Sequence, residues 1–200
     1  MICVLLYEKW FNLIQNPQMF KIAIISASVR KGRNSHRVAL YLNHLLSEKK
    51  EAEIELIDLK ELNFPIFEER LKFMEDPDEK TIGFAESIKH ADGVIIVTPE
   101  YNGGYPSSLK NVSDLLVEEW YRKPIAFATV SAGAFGGAQV ITSLQFSFWK
   151  LQAWTVPAVF QVPNVEKSFD SEGVPADKEA TERRATRFLD ELFWAMELKK

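Results

Sequence analysis

The chain has 200 residues, of which 46% are hydrophobic, and this is the size of one large domain that can bury its own core. Its 24 basic and 28 acidic residues give a net charge of −4 without a basic block, which argues against nucleic acid as a partner. The single cysteine, Cys3, excludes an intramolecular disulfide and a CxxC metal or redox pair, and it favours a reducing compartment such as the cytoplasm.

Residues 1–18 precede the first convincing strand and are predicted to be an N-terminal extension, whose role the sequence does not define. Their first apolar run is interrupted by Glu8 and Lys9, so it is too short to span a membrane and lacks the form of a signal peptide. A surface helix, a subunit contact and disorder are the alternatives for this segment. Residues 19–200 are predicted to form one domain.

Apolar runs of strand length alternate with segments of helical period, which predicts an α/β fold. The second run alternates acidic and apolar residues and so belongs at a sheet edge, whereas the solid apolar runs belong inside. This distribution matches a flavodoxin-like three-layer sandwich with a five-stranded parallel sheet in the order 2-1-3-4-5. The predicted strands are residues 20–26, 53–59, 93–98, 124–130 and 155–160.

The loop after the first strand, residues 26–36, is rich in hydroxyl groups and cations and leads into a helix. Free backbone N–H groups and the positive end of a helix dipole favour an anion at such a place. We therefore predict a phosphate site with Ser28, Arg30 and Ser35 as ligands. The alternative is that Asn34 or Ser35 only caps the helix and that the cations are solvated. The motifs G-x-x-x-x-G-K-[ST] and G-x-G-x-x-G are absent from the sequence, so neither a nucleoside triphosphatase nor the usual dinucleotide fingerprint is supported.

The loop after the third strand, residues 99–106, contains an aromatic ring, an amide and two glycines, and Pro106 is predicted to open a helix. The pair Asn102-Gly103 is typical of a hairpin turn, but the buried strand before it and the helix after it argue against a hairpin. We predict instead that this loop binds a planar ligand through backbone amides and the Asn102 side chain. An ordinary strand-to-helix turn is the alternative.

Residues 130–138, after the fourth strand, contain three glycines and lead into a helix that includes Gln139. The start of this helix would favour negative charge on a ligand ring, as develops in a reduced flavin. Glycines that only allow tight packing of the helix on the strand are the alternative. The interval 68–80, before a helix predicted from Glu79 to His90, is expected to be a surface loop, with a lid over the crevice as an alternative.

Three motifs within residues 20–160 resemble those of the NADPH-dependent FMN reductase family, which includes quinone, chromate and azo reductases. Residues 27–32 resemble its phosphate loop, Pro99–Asn111 resemble its P-E-Y-N-G-x-x-P-x-x-L-K-N motif, and residues 133–137 its Gly-rich segment. The second motif is the most specific. Ala27 stands where the family usually has Gly, so the backbone must avoid the left-handed conformation there or be strained. The resemblance implies an FMN site in which the three loops hold, in turn, the phosphate, the ring and ribityl groups, and the pyrimidine side. The residues implied are Ser28, Arg30, Ser35, Pro99, Glu100, Tyr101, Asn102, Gly103, Ser131, Gly133 and Gly136.

The resemblance also implies an FMN-dependent NAD(P)H oxidoreductase. In that reading a hydride passes from NADPH or NADH to bound FMN, and a quinone, azo compound, metal ion or flavin then takes two electrons. Such a cycle needs no catalytic side chain, and no metal site is predicted. A flavodoxin-type electron carrier and a flavin-free regulatory relative are the alternatives, although the mild net charge argues against a carrier.

Relatives of this kind form dimers or tetramers with the flavin near a subunit boundary, which implies a homodimer or homotetramer. Apart from copies of itself, the only partners expected are small-molecule electron acceptors, without nucleic acid or membrane insertion. The aromatic residues predicted to be exposed for the subunit contact are Trp120, Tyr121, Trp149 and Trp154. For Trp149 and Trp154 the alternative is burial in the core.

Overall fold

A computed structural model describes residues 19–199 of the chain, so the predicted extension, residues 1–18, lies outside the described residues. The described range contains strands β1 (Phe20–Ser26), β2 (Ala52–Asp58), β3 (Gly93–Pro99), β4 (Pro124–Val130) and β5 (Trp154–Val162). They form one parallel sheet in the order β2-β1-β3-β4-β5, which confirms the predicted topology.

Helices cover both faces of the sheet. One face packs against α1 (Ser35–Lys49) and α7 (Lys178–Lys199), as one of the two hydrophobic cores shows. The other face packs against three helices, α3 (Glu79–His90), α4 (Ser107–Leu115) and α5 (Val140–Lys150). Two single-turn helices, α2 (Leu59–Leu62) and α6 (Val165–Ser168), follow β2 and β5. None of the helices within residues 19–199 is long and apolar enough to cross a membrane.

The strand sequences explain why two cores form. Successive side chains of a strand point to opposite faces, so Ile22 and Ile24 of β1 enter one core while Ala23 and Ile25 enter the other. Strand β2 has a neighbour on one side only, and the side chains of Glu53 and Glu55 are exposed, whereas Asp58 at its end is partly buried. The alternation of acidic and apolar residues in β2 therefore marked an edge strand correctly.

The aromatic residues divide differently from the prediction. Trp120 is fully buried: its Nε1–H donates to the carbonyl oxygen of Ser113 at 3.2 Å, and its ring meets the Phe148 ring edge-on at 5.4 Å between centroids. The prediction that Trp120 is exposed was therefore wrong, because its indole fills the core under α4 and α5. Trp149 and Trp154 lie on the surface, with exposed fractions of 65% and 49%.

Candidate functional site

A cleft of about 400 Å³ opens at the carboxyl end of the sheet, where the loops after β1, β3 and β4 meet the start of α6. The topology places these loops at one edge because all five strands run in the same direction. The predicted residues that line the cleft are Ser28, Arg30, Ser35, Pro99, Glu100, Tyr101 and Ser131. The other predicted residues, Asn102, Gly103, Gly133 and Gly136, are not part of the cleft wall in the described chain.

The start of α1 forms the floor of one end of this cleft. Asn34 occupies the capping position, but its side chain does not cap the helix; its Nδ2 donates to Oε1 of Glu166 at 2.8 Å instead. Ser35 is 3% exposed, and its hydroxyl has no hydrogen-bond partner among residues 19–199. Most buried polar groups are hydrogen-bonded, so this hydroxyl at a helix N-terminus is a donor available to a ligand.

Arg33 fixes the loop between β1 and α1. Both terminal nitrogens of Arg33 donate to the carboxylate of Asp58, at the end of β2, and Nη1 also donates to the Ser28 carbonyl at 3.2 Å. Burial acts to raise the pKa of Asp58, but the hydrogen bonds and charge of Arg33, together with the hydrogen bond from the Lys60 N–H and the nearby His36, outweigh it and hold that pKa below its ordinary value. The charge of Arg33 is thus neutralised within the protein, and its role is to hold the loop.

His36 lies beneath the same loop. Its Nδ1 is 3.0 Å from the Ser26 hydroxyl and 3.7 Å from a carboxylate oxygen of Asp58. Burial, followed by the charge of Arg33, lowers the pKa of His36 below 6.5, so the ring is mostly neutral at pH 7. The sequence analysis missed this cluster, because its members come from β1, β2 and α1. An acidic residue at the end of β2 beside a cationic loop was the available signal.

Tyr101 connects the first and second loops. Its hydroxyl is 2.8 Å from the Ser28 hydroxyl, and the Arg30 guanidinium lies over its ring at 5.4 Å from the centroid. Arg30 itself is exposed at the mouth of the cleft. A cation held only by an exposed ring contact, of the order of 0.5–1 kcal/mol, can move to a stronger partner such as a phosphate.

The second loop contains a tight turn at Asn102-Gly103. Asn102 and Gly103 have φ values of 53° and 79°, and Tyr101 and Gly104 exchange two backbone hydrogen bonds of 2.8 and 3.0 Å. Positive φ at both central residues, closed by this pair, defines a two-residue turn of type I′. This turn lies within a loop that joins β3 to α4, and β3 pairs in parallel with β1 and β4. The segment therefore does not form a hairpin between two strands, as the sequence analysis argued, although the Asn-Gly pair forms the turn that it favours locally. The turn carries the exposed Asn102 side chain away from the cleft wall.

Two helix starts differ slightly from the prediction. Pro106 is the residue before α4 instead of its first residue, and its carbonyl oxygen accepts the N–H groups of Leu109 and Lys110 at 3.0 and 3.2 Å. Gln139 likewise precedes α5. Its N–H and that of Val140 donate to Oε2 of Glu100 at 2.9 and 3.3 Å. The start of α5 therefore already binds a carboxylate of the protein.

The glycines of the third loop do two different things. Gly136 has a φ of +59°, and a Cβ there would lie 3.2 Å from the backbone nitrogen of Pro163, so it permits close packing on the chain after β5. Around Gly133 a Cβ would meet nothing within 4 Å, and its carbonyl accepts the Ser131 hydroxyl at 2.9 Å. The packing alternative therefore describes Gly136, whereas Gly133 faces open space.

A parallel sheet in the order 2-1-3-4-5, with a cleft at the carboxyl ends of its strands, defines a flavodoxin-like protein. The sequence model for NADPH-dependent FMN reductases matches residues 20–167. The chain belongs to this family, which confirms the predicted resemblance; the family is one of oxidoreductases that use FMN and NAD(P)H.

Individual relatives agree with the family. The chain is 32% identical over 138 residues to an NAD(P)H-dependent FMN reductase of Saccharomyces cerevisiae, covering 62% of this chain and 71% of that protein. It is 32% identical over 125 residues to a quinone reductase of Pseudomonas putida, covering 60% of this chain and 64% of that protein. Among solved structures, the flavoenzyme NAD(P)H:acceptor oxidoreductase FerB of Paracoccus denitrificans aligns with a TM-score of 0.74 and 22% identity, covering 90% of this chain and 98% of that one. The last similarity shows a shared fold.

Proposed function

We propose that this protein is an FMN-dependent NAD(P)H oxidoreductase that delivers two electrons to a small-molecule acceptor: a quinone, an azo compound, a metal ion or a flavin. When bound, FMN supplies the redox chemistry by accepting a hydride and passing the electrons on. The observation that carries the proposal is the buried Ser35 hydroxyl, which has no partner among residues 19–199 and belongs to a cleft-lining residue at the N-terminus of α1. Similarity to proteins named FMN reductase and quinone reductase supports the acceptor class.

The phosphate end of the cofactor would be held by Ser35 and Arg30. The Ser35 hydroxyl and the N-terminus of α1 would supply donors in a fixed position, and the exposed Arg30 fork would supply the compensating charge. Arg33 cannot take the same role without leaving Asp58, so it keeps the loop in place. The residues present therefore fit a phosphate monoester.

The polar side chains around the rest of the cleft hold loops together. The Tyr101 hydroxyl is bonded to Ser28, the Glu100 carboxylate accepts two backbone N–H groups, and His36 is bonded to Ser26. Each of these bonds ties a side chain beside the cleft to another part of the protein. This supports a mechanism in which the protein orients the cofactor and excludes water but supplies no catalytic side chain, as we propose.

We also propose that the protein acts in the cytoplasm as a homodimer or homotetramer. The single cysteine supports the first statement. Two large aromatic side chains on the outer face of α5 support the second, because Phe146 and Trp149 are 64% and 65% exposed and their ring centroids are 6.0 Å apart. Such a pair is suited to a contact with a second copy of the chain.

The test is the visible absorption spectrum of protein purified with added FMN, followed by NADPH or NADH under anaerobic conditions. Flavin bands that bleach within the mixing time support the reductase and identify the donor. Bands that persist with either donor indicate an electron carrier instead. A protein that retains no flavin would contradict the proposal and favour the flavin-free relative.

Two charge-matched variants test the phosphate site. Arg30→Ala and Lys31→Ala each remove one cation from the same exposed loop, but only Arg30 lines the cleft. Loss of a charged hydrogen bond predicts FMN binding weaker by about tenfold or more in Arg30→Ala. The Lys31→Ala protein should bind FMN like the wild type. Equal affinities of the two variants would show that Arg30 does not bind the phosphate.

A further inference from the structure

Glu100 belongs to the loop after β3, yet its carboxylate is bonded to a helix that follows β4. Its Oε2 accepts the N–H groups of Gln139, at 2.9 Å, and Val140, at 3.3 Å, which are at the start of α5. Gln139 stands at the capping position in a helical conformation and makes no side-chain cap of its own. The N-terminus of α5 is therefore capped by a residue 39 positions earlier in the chain.

This cap joins two of the loops that form the cleft. The first and second loops are joined by the bond between Ser28 and Tyr101, at 2.8 Å, and the Ser108 hydroxyl at the start of α4 donates to the Ala27 carbonyl at 2.6 Å. Glu100 extends the connection to the third loop, which ends where α5 begins. The relative positions of the three loops thus depend on side-chain bonds as well as on the sheet.

The cap also changes the charge that faces the cleft. The N-terminus of a helix carries about half a positive charge, which by itself would favour negative charge on a neighbouring ligand. A full negative charge on Glu100, which lines the cleft, cancels that effect and leaves a net negative charge at this wall. The expectation that the start of α5 favours a reduced flavin therefore does not follow from the helix dipole alone.

We propose that Glu100 is a positioning residue: it caps α5 from the neighbouring loop, fixes residues 133–138 beside the cleft, and sets the charge that a bound flavin ring faces. The role of Glu100 as a cap is independent of the ligand. Its effect on the flavin rests on the proposed function.

The cap is tested in flavin-free protein with Glu100→Ala and a control that loses a comparable cap elsewhere. Asp78 accepts the N–H of Thr81 at 2.7 Å and caps α3, and it does not line the cleft. Loss of a cap predicts faster hydrogen exchange of the first amides of the helix, by about fivefold. We expect this increase at Val140 in Glu100→Ala and at Thr81 in Asp78→Ala. Unchanged exchange at Val140 in Glu100→Ala would overturn the proposal.

The electrostatic part is tested with Glu100→Gln, which keeps a carbonyl oxygen as acceptor but removes the charge. We expect Glu100→Gln to restore slow exchange at Val140 and to shift the reduction potential of bound FMN to more positive values. Asp78→Ala should leave the potential at the wild-type value, although it lowers the melting temperature. A wild-type potential in Glu100→Gln would show that the carboxylate does not act on the flavin. If even the wild-type protein binds no FMN, the proposed function fails, while the exchange data still decide whether Glu100 is the cap.

Discussion

Ser35→Ala should make the flavin-free protein more stable, although it removes a proposed ligand of the cofactor. The Ser35 hydroxyl is buried and has no hydrogen-bond partner within the described range. A buried polar group without a partner destabilises a fold by about 1–3 kcal/mol, and alanine is also the better helix former. We therefore expect the free energy of unfolding of the flavin-free variant to rise by about 1 kcal/mol or more.

The same substitution should weaken FMN binding. A hydrogen bond to a charged group contributes about 1.5–3 kcal/mol, which corresponds to a dissociation constant about 10 to 150 times larger in the variant. A ligand that binds only the native state stabilises it by an amount that grows with the logarithm of the ratio of ligand concentration to dissociation constant. Because the dissociation constant is larger in the variant, added FMN stabilises the variant less than the wild type. The gain seen without FMN should therefore shrink or reverse when FMN is present.

Urea unfolding with and without FMN, together with quenching of FMN fluorescence on binding, measures both effects. Ser47→Ala is the matched control, because Ser47 is an exposed serine of the same helix. We expect Ser47→Ala to change neither the stability nor the affinity by an amount comparable to Ser35→Ala. A flavin-free Ser35→Ala protein that is less stable than the wild type, or one that binds FMN with unchanged affinity, would refute the reasoning.

Two further predictions concern residues outside the cleft. Burial lowers the pKa of Lys123 to about 8 from 10.5, although its Nζ donates to the carbonyl oxygens of Lys89 and Ala91. Between pH 8 and 10.5 the native state therefore binds fewer protons than the unfolded state, so the free energy of unfolding should rise with pH, by an amount on the order of 3 kcal/mol. Lys123→Met should abolish that rise in urea unfolding. An equal slope of stability against pH in both proteins would contradict this prediction. Trp149→Glu should lower the mass measured by light scattering to that of the monomer. Trp194→Glu, at a comparably exposed tryptophan of α7, should not. An unchanged mass in both variants would exclude this face of α5 as the subunit contact.

The sheet could be predicted because burial dictates its composition. Strands β1 and β4 have the predicted bounds, since side chains covered on both faces must be apolar from end to end. Strand β2 was placed at an edge because Glu53 and Glu55 could not be covered on both sides. The order and direction of the strands together determine which loops meet. The place of the cleft could therefore be predicted, but the contacts of its side chains could not.

The bonds between the loops could not be predicted, because they depend on the conformations of side chains far apart in sequence. The contacts of Arg33 with Asp58 and of Glu100 with Val140 join residues 25 and 40 positions apart. Local preferences were more reliable where they concerned the backbone. Asn102-Gly103 forms the turn that its sequence favours, although the loop leads into a helix and not into a second strand.

Ala27, in the loop between β1 and α1, is a second position at which a backbone preference was predicted from the sequence. The sequence required the backbone there to avoid a left-handed conformation, and Ala27 is not among the described residues with positive φ. Its N–H donates to the carbonyl oxygen of Val97 at 3.0 Å, which extends the pairing of β1 with β3 by one residue. A residue that continues a strand has no need of glycine, so this departure from the family pattern leaves the loop unstrained.

The polar groups of the cleft fall into two sets, and the division explains how one site could serve several reactants. Arg33, Glu100 and Tyr101 are bonded to other parts of the protein and keep the walls in place, whereas Ser35 and Arg30 retain capacity for a ligand. In the proposed function, specific polar binding is then concentrated at the phosphate end of FMN. The ring end would be held by the shape of the cleft and by backbone groups, so one of its faces could stay open to the donor and then to an acceptor. Preorganised walls with a single strong anchor give a fixed cofactor and permissive access, which is what a reductase of varied small molecules requires.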